Sequence, residues 1–128
     1  MITAVTKGIK ISVQTTYNEE YSAVRKGKFV YVYQITIENT TDYTVQLLRR
    51  HWIITDANGI VREVEGEGIV GEQPYIGPHE SYTYASWTDM MTDVGKMSGR
   101  YFMVRQLDGE LFYADVPEFL LVVPFKSN

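Results

Sequence analysis

The stretch FVYVYQITIEN, from Phe29 to Asn39, decides the fold class of this chain. Successive residues of a β-strand point to opposite faces, and the odd-numbered residues through Ile37 are all aromatic or β-branched. The even-numbered residues include Gln34 and Thr36, which suit a wetter face. Because aromatic and β-branched side chains also favour strands, the stretch predicts a long strand near the core.

The same alternation continues on both sides of this strand. GIKISVQTT at 8–16 predicts a first strand, and TVQLLRRHWIIT at 44–55 resumes the pattern after turn-forming residues at 39–42. Asn58-Gly59 then supplies the two positive φ angles of a type I′ turn. A hairpin is therefore expected between the strand before this turn and the one that starts at Ile60.

The C-terminal half repeats this strand pattern. It contains the candidate strands SYTYASW at 81–87, GRYFMVRQL at 99–107 and ELFYADV at 110–116, with Asp108-Gly109 as a turn, and a last apolar run, FLLVVPF at 119–125, follows Pro117. Residues 66–80 and 88–98 are predicted as long loops, which are often functional in small domains.

About seven strands with no helical spacing predict an all-β fold. The expected architecture is a single domain, residues 1–128, forming an antiparallel β-sandwich of the immunoglobulin or fibronectin type III kind, with a small barrel as the alternative. No disulfide can join two sheets, so burial of large side chains must hold them together. Trp52, Phe102 and Phe119 are the expected core residues.

Composition restricts the partners. A net charge of -4 and a pI near 5.1 argue against a general nucleic-acid or anionic-membrane binder, because both targets require a positive field. The absence of cysteine excludes thiolate metal sites and a cysteine nucleophile, and suits a reducing compartment. The opening MITAVTKGIKISV fits neither a signal peptide nor a membrane span, so a cytoplasmic protein is expected.

A glycine motif gives the candidate binding loop, which comprises Gly66, Glu67, Gly68, Ile69, Val70, Gly71 and Pro74. Its spacing, G-x-G-x-x-G, binds pyrophosphate in other folds when a helix begins directly behind the glycines. Here two prolines follow within seven residues, and four glutamates surround the motif. The favoured interpretation is glycines that shape turns and bulges, although backbone N–H groups could hold an anion without a helix.

Metal and catalytic chemistry have weak support in the sequence. Glu63, Glu65 and Glu67 would share one strand face at a spacing of about 6.7 Å, too far apart for neighbours to chelate one ion tightly. We expect a solvated face with at most weak binding of divalent cations. His51 and His79 lack ligand spacing, and no nucleophile elbow is present, so no metal site, cofactor or catalytic residue is predicted.

Distinctive motifs and spaced residues lie along nearly the whole chain. They are LLRRHWIITDANG, EVEGEGIVGEQP, Tyr84-x-Ser86, Thr92, Gly95, Met97, Gly99, Tyr101, Asp108-Gly109 and Val116-Pro117-x-Phe119. In these residues the chain resembles the ApaG family along nearly its whole length. Two loop positions depart from the family pattern, His79 where glycine is usual and Asp93 where proline is usual.

This resemblance implies a fibronectin type III-like sandwich without a secure biochemical activity. The family is associated with cobalt and magnesium resistance and with diadenosine polyphosphate metabolism, and related domains of eukaryotic F-box proteins resemble recognition modules. The resemblance also suggests Gly66, Gly68 and Gly71 as a pyrophosphate contact.

Together these observations predict a non-enzymatic binding module. It would present residues 66–80, with a sheet edge or an aromatic face, to a protein partner. A second hypothesis is a small-ligand protein that binds a nucleotide pyrophosphate through Gly66–Gly71, with or without a metal ion. A third is a divalent-metal accessory protein linked to efflux. Nucleic acid and membrane are not expected as partners.

Overall fold

The strand predicted from residues 29–39 lies inside the first of two antiparallel sheets. The computed structural model describes residues 1–124. Within them the strands, numbered in chain order, are β1 Ile2–Thr6, β2 Ile9–Ala23, β3 Lys28–Asn39, β4 Val45–Asp56, β5 Val61–Glu67, β6 Tyr75–Ile76, β7 Ser81–Met90, β8 Val94–Arg105 and β9 Leu111–Val122. A 3-10 turn at Val24–Lys26 follows β2.

The two sheets pack as a sandwich. The first has the order β1-β2-β3-β7 and the second the order β5-β4-β8-β9, with β6 paired to the start of β4. All pairs within each sheet are antiparallel, and the two sheets are separate. The predicted sandwich is therefore confirmed, and the barrel alternative is wrong. No helix within residues 1–124 is long and apolar enough to cross a membrane.

Aromatic side chains from both sheets meet in the core. The Trp52 ring lies edge-on to Tyr33, Tyr101 and Phe119, with ring centroids 5.6, 6.0 and 6.2 Å away. These four side chains are buried, and each contributes about 1.5–3 kcal/mol through removal from water. The core predictions for Trp52 and Phe119 are therefore confirmed.

Phe102 is not a core residue, and that prediction is wrong. Its neighbours in β8, Tyr101 and Met103, point into the core, so the alternation places Phe102 on the outer face of the second sheet. There its ring packs against Tyr113 at a centroid distance of 5.1 Å.

The loop predicted at residues 88–98 is also wrong. Strand β7 continues to Met90 and β8 begins at Val94, so only three residues connect them. Gly95 and Gly99 are strand glycines that permit close packing. A Cβ at Gly95 would lie 1.9 Å from Met90 Cε, and one at Gly99 would lie 2.6 Å from the Trp52 ring.

Two turn assignments change as well. The hairpin at Asn58-Gly59 exists, but only Gly59 has a positive φ, so the predicted type I′ turn is replaced by a longer loop ending in a left-handed glycine. The true type I′ geometry joins β1 to β2 through Lys7 and Gly8, with φ of 48° and 79°. Strand β1 was not predicted.

Pro117 does not separate two strands. It lies inside β9, where the pairing with β8 shifts register between Met97 and Gly99. Since β9 is an edge strand, such an irregularity accommodates proline without breaking the sheet. The predicted strand at 110–116 and most of the apolar run at 119–125 thus belong to one strand, and residue 125 lies outside the described residues.

A buried asparagine at the end of β3 fixes the neighbouring loops. The Nδ2 group of Asn39 donates to the carbonyls of Tyr43, Ile76 and Gly77 at 2.7, 3.0 and 3.1 Å. Its Oδ1 accepts from the backbone N–H and hydroxyl of Thr41 at 3.0 and 2.6 Å. One amide side chain therefore joins the turn after β3 to β6 in the other sheet.

We predict that Asn39→Asp lowers the free energy of unfolding by about 3 kcal/mol or more. The substitution keeps the shape but replaces the donor with an oxygen that faces three carbonyls in a fully buried position. Urea titration measures the loss. The matched control Asp42→Asn, at an exposed side chain, should change stability by less than about 0.5 kcal/mol, and equal effects of the two changes would contradict this role.

Candidate functional site

The glycine motif ends in a tight two-residue turn. Ile69 N–H donates to the Glu72 carbonyl at 2.8 Å, and Glu72 N–H donates back to the Ile69 carbonyl at 2.9 Å. Val70 and Gly71 between them have φ of 48° and 80°, the positive values that a type I′ turn requires. Ile69 is almost completely buried and anchors the turn in the core.

The other two glycines allow close approaches. A Cβ at Gly68 would lie 2.1 Å from the Glu72 carbonyl oxygen, and one at Gly66 would lie 2.8 Å from Nη1 of Arg50. The same Nη1 donates to the carbonyls of Glu67 and Gly68 at 3.0 and 3.1 Å. The loop thus presents carbonyl oxygens to a cation, which is the opposite of an anion-binding nest.

Amides within and directly after the motif are used within the fold. Besides the two amides of the turn, Gly68 N–H donates to the Leu48 carbonyl at 2.8 Å. Pro74, the last residue of the predicted loop, accepts from Leu47 N–H at 3.0 Å and so extends the pairing along β4. Of the predicted site residues, Gly66 to Val70 therefore cluster around Arg50, Gly71 lies at the turn, and Pro74 lies beside β6.

An opening that we call the edge cleft lies between β5 of one sheet and β7 of the other. It consists of two hollows of about 180 and 280 Å³ that share Tyr33, Arg50, Trp52 and Ser86 as lining residues. Ile69 and Val70 line the smaller one. The glycine loop therefore forms one wall of this cleft.

Two polar contacts bridge the edge cleft near its ends. The Arg62 guanidinium of β5 donates to the Asp89 carbonyl of β7, and Nη1 of Arg62 lies 3.5 Å from Oδ1 of Asp89. Tyr82 of β7 donates its hydroxyl to the Glu72 carboxylate at 2.9 Å. Between these contacts no hydrogen bond joins β5 to β7 among residues 1–124.

Arg50 is the charged residue that both hollows of the edge cleft share. No carboxylate within residues 1–124 lies within ion-pair distance of its guanidinium, whose recorded acceptors are the two carbonyls of the glycine loop. A partly buried cation without a counter-charge retains a strong attraction for an anion. The cleft is therefore electrostatically suited to an anionic group.

Tyrosine hydroxyls surround this charge. Burial raises the pKa of Tyr33 and Tyr84 and raises the pKa of Tyr101 well above its ordinary value, while the nearby Arg50 charge offsets part of each rise. Tyr84 and Tyr101 also hydrogen-bond to each other through their hydroxyls. All three phenols are neutral at physiological pH and act as hydrogen-bonding groups.

The acidic residues of β5 face away from the edge cleft. Carboxylate oxygens of Glu63 and Glu65 lie 3.4 and 3.5 Å from Nε2 of His51 on the outer face, and His79 lies near Asp42 at a different site. Within residues 1–124, no group of three or more histidine, aspartate or glutamate side chains is arranged to hold a metal ion.

Sequence reasoning located the loop but missed the charged residue beside it. Arg50 is in phase with Trp52 and Ile54, two buried residues that follow it in β4, and an arginine in that phase is the available signal. The contribution of Tyr33, Tyr84 and Ser86 depends on how β7 lies across from β5, which no local pattern reveals.

We predict that Gly68→Ala is more destabilising than Gly71→Ala. Both glycines have positive φ, so each alanine adds backbone strain of about 1–2 kcal/mol. Only the Cβ at residue 68 also meets backbone, whereas the one at residue 71 meets nothing within 4 Å. Chemical denaturation of both variants measures the difference, and equal losses would contradict this description of the loop.

We also predict that stability declines as pH rises above 10. A buried tyrosine whose folded-state pKa is raised keeps its proton where the unfolded chain loses it, so its contribution is complete below pH 10 and lost at higher pH. Tyr84→Phe should reduce the slope of unfolding free energy against pH by up to about 1.4 kcal/mol per pH unit. The exposed Tyr21→Phe is the control, and an unchanged slope in Tyr84→Phe contradicts the prediction.

Sequence comparison relates the chain to known proteins. The model of the ApaG domain matches residues 19–105. Over 120 residues the chain is 48% identical to Protein ApaG of Vibrio cholerae, covering 94% of both chains. It is 47% identical over 124 residues to Protein ApaG of Brucella anthropi, covering 97% of this chain and 95% of the relative.

Solved structures share the architecture. A Bordetella pertussis crystal structure, of a protein assigned as ApaA, superposes with a TM-score of 0.87 at 38% identity, covering 91% of this chain and 94% of the other. The C-terminal domain of Wzt superposes with a TM-score of 0.55 at 10% identity over 95% of this chain and 77% of the other, which concerns the fold alone. With the family model and these relatives matched over most of its length, the chain belongs to the ApaG family.

Proposed function

We propose that this chain is a non-enzymatic binding module that holds a protein partner at the β5–β7 side of the sandwich. The observation that carries the proposal is the edge cleft, where the two sheets stay open around an unpaired Arg50. Apolar side chains are exposed around it. Trp87 is 63% exposed, Val70 67% and Val64 38%, and exposed aromatic and apolar groups are typical of protein-binding surfaces.

The titratable groups near the edge cleft support a non-enzymatic role. Its tyrosines have raised pKa values and are poor proton acceptors near neutral pH. Neither histidine has a hydroxyl among its side-chain hydrogen-bond partners within the described residues, so neither is placed to activate a hydroxyl nucleophile. Binding requires none of these groups to react.

The proposal also covers location and cation resistance. We place the module in the cytoplasm, in line with its lack of cysteine and its acidic charge. Any effect on cobalt or magnesium resistance would act through the partner. Glu63 and Glu65 already lie against His51, so this face supports only weak binding of a divalent cation.

Capture of partners from cell extract tests the proposal. Immobilised wild-type chain should retain one or more specific proteins, and Trp87→Ser should reduce that retention at least tenfold. Leu107→Ser, which alters an equally exposed apolar residue in the β8–β9 turn, is the matched control and should retain them.

Two results would contradict the proposed function. One is equal retention of the same proteins by Trp87→Ser. The other is an absence of captured proteins together with saturable amide shifts at Gly66, Gly68 and Gly71 on titration with diadenosine tetraphosphate, which would favour the nucleotide hypothesis instead.

A further inference from the structure

The four edge strands of the sandwich differ in how they resist pairing with another chain. Strand β1 has only five residues, and its Thr6 hydroxyl accepts the Asp115 N–H of β9. Strand β5 carries three glutamates among seven residues, and β9 contains a proline. Charge, proline and short length are the usual protections of an edge.

Strand β7 has none of these protections along most of its length. It spans ten residues, and its sequence from Ser81 to Thr88 contains neither a charge nor a proline. Its one neighbour in the sheet is β3, with continuous pairing from Glu38–Ser81 to Phe29–Met90. A long edge without charge or proline is a template for an added strand.

A hydrogen bond to Asp89 indicates which backbone groups of β7 point away from β3. The Arg62 guanidinium donates to the Asp89 carbonyl, so that carbonyl points away from β3. In an antiparallel pair, inward and outward backbone groups alternate, so Thr83, Ala85 and Trp87 share the outward phase. None of their backbone groups has a recorded partner outside the sheet within residues 1–124.

Side chains of a strand added at this edge would alternate between two environments. Those pointing inward would enter the edge cleft, where Arg50 lacks a carboxylate partner. Those pointing outward would lie beside Trp87, which borders a separate, mostly apolar groove of about 450 Å³ lined also by Val30, Val32, Tyr21, Asn18 and Lys28. The expected partner therefore alternates an anionic side chain with apolar neighbours.

We infer that the free edge of β7 binds an extended segment of a partner protein and that an anionic side chain of that segment, a carboxylate or a phosphate, pairs with Arg50. This inference rests on the proposed function, because it specifies how the protein partner is held. Main-chain hydrogen bonds to Thr83, Ala85 and Trp87 supply affinity, and the pairing with Arg50 supplies specificity.

A second copy of this chain fits the edge less well. Pairing of β7 with another β7 would bring no carboxylate from Ser81 to Thr88 into the edge cleft, and Arg50 would stay unpaired. The charge of the cleft thus favours an acidic partner segment over self-association.

Selection from a displayed library of random seven-residue peptides tests the inference. Immobilised wild-type chain should enrich sequences with an acidic residue flanked by apolar ones. An enriched peptide is then synthesised with glutamate, phosphoserine or glutamine at the acidic position. At least one anionic peptide should bind about tenfold or more tightly than the glutamine peptide, and the tighter anion identifies the source of the charge.

Two variants localise the binding. Ala85→Pro removes an outward N–H at an edge position that tolerates proline, and should weaken peptide binding at least tenfold. Arg50→Gln should abolish the difference between the anionic and glutamine peptides. As a measurement on the unaltered chain, hydrogen exchange at the amides of Thr83, Ala85 and Trp87 should slow when peptide is saturating.

Several results would overturn the inference. They are failure to enrich any peptide, equal binding of the anionic and glutamine peptides, unchanged exchange at residues 83, 85 and 87, or peptide-free dimerisation that Ala85→Pro abolishes. Ala85→Pro also separates the two proposals. If it captures cellular partners as well as wild type does, the β7 inference fails and the binding-module proposal stands, whereas capture of nothing by wild type removes the proposed function itself.

Discussion

The contact of Trp52 with aromatic rings of both sheets is the interaction on which the rest of the sandwich depends. Tyr33 reaches it from the first sheet, and Tyr101 and Phe119 reach it from the second. Edge-to-face rings of this kind add about 0.5–1.5 kcal/mol per pair beyond their burial. With no disulfide between the sheets, this cluster sets their separation, and Gly99 is required because any side chain there would collide with the indole.

The sandwich closes differently on its two sides. Strands β1 and β2 pack against β9, while β5 and β7 on the opposite side are bridged by polar side chains near the ends of the edge cleft. The sheets are thus in close contact on one side and open on the other. The opening exposes part of the inner face, including Val64, at the place where the glycine loop folds back. Among the described residues, close packing of the two sheets and the edge cleft therefore lie on different sides of one small fold.

The sequence predicts the sandwich well because alternation is a local property. Strands β3, β4 and β7 follow directly from the phase of their apolar residues, and so do the strands of the hairpins at Asn58-Gly59 and Asp108-Gly109. Two predictions failed for different reasons: Phe102 follows the phase of its own strand β8, whereas residues 88–98 depend on side chains that pack against Gly95 and Gly99. A large aromatic residue predicts burial only when its phase agrees, and Gly95 indicates a loop unless a neighbouring methionine fills the space above it.

The glycine motif shows the same limit at the site. Its spacing correctly indicated a specialised backbone, but its ligand depends on which groups the backbone turns inward. In this chain the carbonyls of Glu67 and Gly68 point to Arg50, and Gly66 has no Cβ because the guanidinium occupies that space. Two neutral carbonyls orient an arginine without neutralising it. A carboxylate in their place would cancel the charge, whereas this arrangement fixes the guanidinium in the edge cleft and leaves its attraction for an anion intact.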